Sequence, residues 1–111
     1  PRDALWASEQ CLRTGCLSAV LSWPMQADDR ALRRLQVAAD TGGAMGFVFR
    51  EARAERNPSP ATLRIAIDNT SSDGPAQLRV LKCRGGIAPV RPLPFSIHAP
   101  IHAPVHAVAA A

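Results

Sequence analysis

Cys16-Leu17-Ser18-Ala19-Val20-Leu21 is the stretch on which the fold turns. It is short and largely apolar, bounded by Gly15 and Pro24, the pattern of a strand covered on both faces in a parallel sheet. Upstream, Asp3 stands where it caps a helix whose first turn begins at Ala4. Ala4, Ala7, Ser8 and Cys11 recur there at helical spacing with Leu5 and Leu12 beside them, and Gly15 is the natural stop. Downstream, Asp28 or Asp29 caps a second helix with Leu32, Leu35, Ala38 and Ala39 as its apolar stripe and Arg30, Arg33 and Arg34 on the wet side. Thr41-Gly42-Gly43 closes it. Ala44-Met45-Gly46-Phe47-Val48-Phe49 then reads as a second buried strand, with Gly46 marking close approach of a helix or backbone.

Farther along, Arg50 to Pro60 is charged, contains two prolines and has no apolar face, which predicts a loop. Thr62 to Asp68 alternates, with Leu63, Ile65 and Ile67 expected inward and Arg64 outward; Gln77 to Cys83 alternates around Leu78, Val80 and Lys82. Turn residues from Asn69 to Pro75 join these two strands as an antiparallel hairpin. The expected order is α-β-α-β, a basic loop and a β-hairpin: an α/β domain over residues 1–86. Residues 87–111 form a Pro/Ala/His-rich low-complexity tail, expected to be disordered.

At 111 residues the chain has room for one small domain or a piece of a larger one. Pro1 stands where an initiator methionine would, which fits either a processed chain or a fragment. A hydrophobic content of 47% against 20% charged residues is that of a globular chain. The formal net charge of +4 suits polyanionic partners such as nucleic acid, although 12 of the 13 basic residues are arginine and compositional bias explains the charge equally. Neither a membrane span nor a secretory signal is visible, and Cys11, Cys16 and Cys83 lie at apolar-patterned positions, so buried thiols in a reducing cytoplasm are expected.

Chemistry-bearing motifs are few. Gly42-Gly43 and Gly85-Gly86 lack the Lys-Ser/Thr that completes a phosphate-binding loop, and turn duty accounts for them. Ser22, Thr41 and Ser59 have no identifiable histidine partner for nucleophilic catalysis. His98, His102 and His106 invite a metal, but Pro100 and Pro104 exclude the helix that would gather them; in polyproline geometry neighbouring histidines lie about 12 Å apart. No catalytic residue, cofactor or metal site is therefore expected. Trp6 and Trp23 suit core packing, and Trp23 at the mouth of a strand also suits a partner anchor.

Several strings resemble the second half of a RecA-like ATPase core: the helix Asp3–Gly15, Ala31–Ala39 followed by Met45–Arg50, and the closing strands Thr62–Asp68 and Leu78–Gly86. Within it, Trp6, Glu9-Gln10-Cys11-Leu12-Arg13, Arg33-Arg34-Leu35-Gln36 and Lys82-Cys83-Arg84-Gly85-Gly86 resemble the ImuA family, also labelled SulA-related, of bacterial damage-inducible mutagenesis cassettes. This implies the C-terminal part of a RecA-like core and a non-catalytic accessory role in SOS-induced translesion DNA synthesis. The implied partners are an ImuB-like polymerase-related protein, an error-prone DnaE-type polymerase and DNA. Alternatives are the C-terminal part of a RecA-type DNA-dependent ATPase and a SulA-like inhibitor of cell division.

The strand matching the Walker-B position should end in a magnesium-holding acid, yet Ala19-Val20-Leu21 runs into Ser22 and Trp23. Arg50 stands where RecA-type proteins carry a nucleotide-sensing glutamine. Arg50, Arg53 and Arg56 fall in the segment matching the DNA-contacting loop, although Glu51 and Glu55 dilute the field and a solvated linker accounts for the segment as well. Lys82 and Arg84 are a second candidate phosphate contact.

Overall fold

The computed structural model describes residues 2–68 and 75–95. Helix α1 (Arg2–Arg13) leads to strand β1 (Ala19–Ser22), helix α2 (Asp29–Gly42) and strand β2 (Met45–Val48). A short 3-10 helix (Ala52–Arg56) follows, then strands β3 (Leu63–Asp68), β4 (Ala76–Cys83) and β5 (Leu93–Phe95). The result is an α/β fold of two helices and two small sheets: β1 pairs with β2 in parallel, and β3-β4-β5 is antiparallel.

The helix and strand order agrees with the expectation, while the boundaries and faces shift. Helix α1 begins at Arg2, so Asp3 sits in its first turn rather than at its cap, still at the positive end of the helix dipole. Its inward side carries Leu5, Glu9 and Leu12, whereas Ala4, Ala7 and Cys11 are exposed. Larger aliphatic side chains gain more from leaving water, and they fix the rotation of the helix. Helix α2 is capped by Asp28, whose carboxylate accepts the Ala31 N–H at 2.7 Å, and it ends on Gly43 at φ 65°. Leu32, Leu35 and Ala38 are its buried positions, as the stripe predicts.

Gly42 sets how closely the helix ends meet. A Cβ on Gly42 would lie 1.8 Å from the Leu12 carbonyl oxygen, so only glycine lets the ends of the two helices touch backbone to backbone. A Cβ on Gly46 would meet the Leu12 methyls at 3.5 and 3.6 Å, and Leu12 rests on that strand as the sequence suggests. Around Leu12, Leu35 and Ala38 pack Leu5, Val20, Ala39, Ala44 and Val48, which together form the core.

That core lies on one side of the parallel pair only. Leu21, Met45 and Phe47 on the opposite face are 52%, 56% and 42% exposed, which corrects the expectation of strands covered on both faces. Two helices can cover one face of a sheet, and neither crosses to the other.

The antiparallel sheet reverses its expected sides. Leu63, Ile65 and Ile67 are exposed, while Arg64 is half-buried and donates to the Ala54 and Glu55 carbonyl oxygens. Polar contacts with residues 54–59 cover the Arg64 side of the sheet, and nothing among the described residues covers the leucine-isoleucine side. The segment expected as a plain loop thus contains the 3-10 helix. Within the expected tail, Leu93–Phe95 adds a third strand beside β4. Cys11 and Cys16 are exposed and Cys83 is half-buried, which corrects the picture of three buried thiols. The turn residues 69–74 and the three tail histidines lie outside the described residues.

Candidate functional site

Parallel strands point their carboxyl ends to the same edge, where α/β proteins collect their ligands. Here β1 runs out through Ser22 into Trp23, and β2 through Val48 into Phe49. The Trp23 and Phe49 rings stack with centroids 4.9 Å apart and an interplanar angle of 11°. Trp23 is nevertheless 66% exposed, so the stack is a surface platform rather than core. Ser22, at the end of β1, donates its hydroxyl to the Phe47 carbonyl oxygen at 3.4 Å.

Beside the platform lies an open hollow of about 400 Å³ whose lining includes Pro24, Asp28, Arg50, Arg53 and Asn57. Arg50 is tethered there: its guanidinium donates to the Ala27 carbonyl oxygen at 2.8 Å, tying the end of β2 to the loop before α2. Arg53 is paired with Glu51 at 2.5 Å and remains largely exposed. Arg56 is exposed as well. Three residues per turn set Arg53 and Arg56 on one side of the 3-10 helix. The first N–H groups of α2 also reach this edge, but the Asp28 carboxylate already occupies one of them and sets negative charge against an incoming anion.

Lys82 and Arg84 belong to the other sheet. The Lys82 ammonium donates to the Ser59 carbonyl oxygen at 3.0 Å, whereas the Arg84 side chain is exposed and its backbone N–H extends the ladder to Thr62. Of the six expected contact residues, Trp23, Arg50 and Arg53 gather at the parallel edge, and Arg56 stands exposed at the far end of the 3-10 helix. Lys82 and Arg84 stand apart at the end of β4.

The densest polar cluster was missed in sequence. Arg79 on β4 grips Glu55 with two parallel bonds of 3.0 Å each and reaches Asp68 on β3 through its Nε at 2.6 Å. Hydrogen bonds from Arg79 hold both carboxyls below their ordinary range, and the two carboxylates push the Arg79 guanidinium farther up. Glu9 is a second surprise: nearly buried on α1, it bonds Arg13 on its own helix and Arg34 on α2. Its signal lay in the i,i+4 spacing of Glu9 and Arg13. For Arg79 the only signal was a register that places it opposite Ala66, diagonal to Asp68.

Chemically, the parallel edge offers an aromatic platform, a tethered guanidinium and one solvated arginine, suited to holding a partner or a phosphate backbone. Among the described residues no group of three or more His, Cys, Asp or Glu side chains gathers to hold a metal, and no helix is long and apolar enough to cross a membrane. No family model, curated protein or solved structure gives a significant match to this chain.

Proposed function

We propose that this chain is a RecA-like, ImuA-related accessory of SOS-induced error-prone translesion synthesis, acting in the cytoplasm by contact with partner proteins and DNA rather than by turnover. One observation carries the reading. At the carboxyl edge of the parallel pair, where a RecA-type motor would hold magnesium, stand Ser22 and the exposed Trp23–Phe49 stack. An exposed aromatic pair is what partner recognition uses, since buried rings often carry interface energy. The α-β-α-β order with parallel pairing and the arginines Arg50 and Arg53 beside that edge agree with it. On this reading the partners are the ImuB-like polymerase-related protein and the DnaE-type polymerase, and Lys82 and Arg84 make auxiliary phosphate contacts.

A pull-down of the intact protein against the ImuB-like partner tests the proposal. Retention that is lost with Trp23→Ala is expected; no retention at all counts against it. The uncovered apolar face of the parallel pair favours a second reading, the C-terminal part of a DNA-dependent ATPase whose larger sheet covers that face. ATP hydrolysis measured with single-stranded DNA present separates the two.

A further inference from the structure

The side of the antiparallel sheet that carries Arg64, Arg79 and Lys82 is a basic surface with a lid. Arg64 and Lys82 are direct cross-strand partners, and Arg79 lies farther along β4 opposite Ala66. Like charges so placed repel, so this face needs compensation. Residues 54–59 lie across it and supply the compensation by three separate ties. Arg64 donates to the Ala54 and Glu55 carbonyl oxygens at 3.3 and 3.1 Å, Lys82 to the Ser59 carbonyl oxygen, and Arg79 to both oxygens of Glu55. Two of the ties use neutral carbonyls. Three cations therefore share only the Glu55 and Asp68 carboxylates, which leaves an excess of one positive charge. Next to Arg79 an open hollow of about 180 Å³ is lined also by Arg91.

We propose that this face is a phosphate-backbone binding surface for single-stranded DNA, and that residues 51–60 are a strap which masks it, with the Glu55 carboxylate standing in for a phosphate. The two-pronged grip of Arg79 on Glu55 is the geometry with which arginine also takes a phosphate. A nucleic-acid strand competes for the same fork and offers a series of anions where Glu55 offers one. Once the strap lifts, Arg64 and Lys82 lose their carbonyl acceptors and Arg79 is freed from Glu55 while it keeps Asp68 on β3, so the three cations become available together. Arg53 and Arg56, carried by the strap, move with it. Carbonyl ties are exchanged for charge-assisted ones, so displacement grows more favourable as salt falls.

The choice of DNA as ligand rests on the accessory reading above, but the test is separate. Anisotropy of a labelled thymidine oligonucleotide is titrated with the full chain at several salt concentrations. Glu55→Gln is expected to bind about tenfold tighter at low salt than the parent, with a salt dependence steeper by about 0.7 in the log-log slope, one further phosphate contact. Adding Arg79→Gln to that variant is expected to remove the gain. A folded Glu55→Gln protein that binds no tighter, or a gain that survives Arg79→Gln, overturns the proposal.

Amide exchange on the unaltered protein gives an independent readout. The Asn57 N–H, bonded to Ala54 O at 3.1 Å, is expected to exchange faster once the oligonucleotide is added, and unchanged exchange at saturating oligonucleotide also overturns the strap. Loss of ImuB-like binding with the DNA results intact would sink the accessory reading alone.

Discussion

Gly42 shows how much one missing Cβ decides. The ends of α1 and α2 approach until a methyl group would sit 1.8 Å from the Leu12 carbonyl oxygen, so Gly42→Ala forces the helices apart. We expect a loss of roughly 1–3 kcal/mol from overpacking, read as a lower denaturant midpoint with little change in slope. Gly43→Ala, by contrast, meets no neighbour and carries only the strain of its left-handed backbone. Glu55 and Asp68 make a second residue-scale prediction. Their ordinary values of 4.5 and 3.8 are lowered in the fold, chiefly by hydrogen bonds from Arg79. A carboxyl with a depressed folded pKa stabilises above its unfolded value and loses that stabilisation as pH falls through the folded one. Stability should therefore fall as pH drops below about 4.5, and Arg79→Gln should flatten that acid limb in denaturant midpoints taken across pH.

At the scale of elements, the Trp23–Phe49 stack is a surface feature and the 3-10 helix is held by the antiparallel sheet. Trp23 is a surface ring whose loss removes little burial, so Trp23→Ala should leave the melting temperature within about 2 °C. On the proposed accessory reading, the same change should weaken binding to an ImuB-like partner about tenfold or more, measured by titration calorimetry. Helix α2 was legible because its apolar spacing and caps are local, with Asp28, Gly43 and the stripe Leu32, Leu35, Ala38 in the expected places, whereas α1 kept its extent but not its cap or its inward face. The Trp23 position at a strand mouth was legible too, but its ring partner Phe49 was not, because stacking needs the parallel register that sets Ser22 beside Val48. The 3-10 helix escaped notice since Ala52–Arg56 has no apolar face. Cations of β3 and β4 hold residues 54–59 in place, and each lies at least nine residues along the chain from the group it binds.

Considered whole, the molecule is two units with different reasons to hold together. Helices α1 and α2 pack on each other and on the parallel pair, whereas the antiparallel sheet makes no comparable packing with them among the described residues. The Arg50 bond to Ala27 is one polar tie between the carboxyl end of the parallel pair and the loop before α2. Leu12, Leu32, Leu35 and Ala38 are the buried side chains of the helical core, too few to offset much chain entropy. Heating the isolated chain should give a broad transition whose calorimetric enthalpy exceeds the van't Hoff value, because the units melt separately. A single sharp transition with equal enthalpies would contradict this.

Alternation and helical period determined by themselves the two α-helices, the strands β1 to β4 and their order, since each depends on neighbours within a turn or two, but neither the 3-10 helix nor β5. Tertiary structure alone decided which face of each strand is dry. Leu63, Ile65 and Ile67 carry the inward pattern yet lie open, because a face is buried only where another element lies against it, and the strap is held to the opposite face by Arg64, Arg79 and Lys82. Charge placed across strands, rather than apolar spacing along one, made that choice.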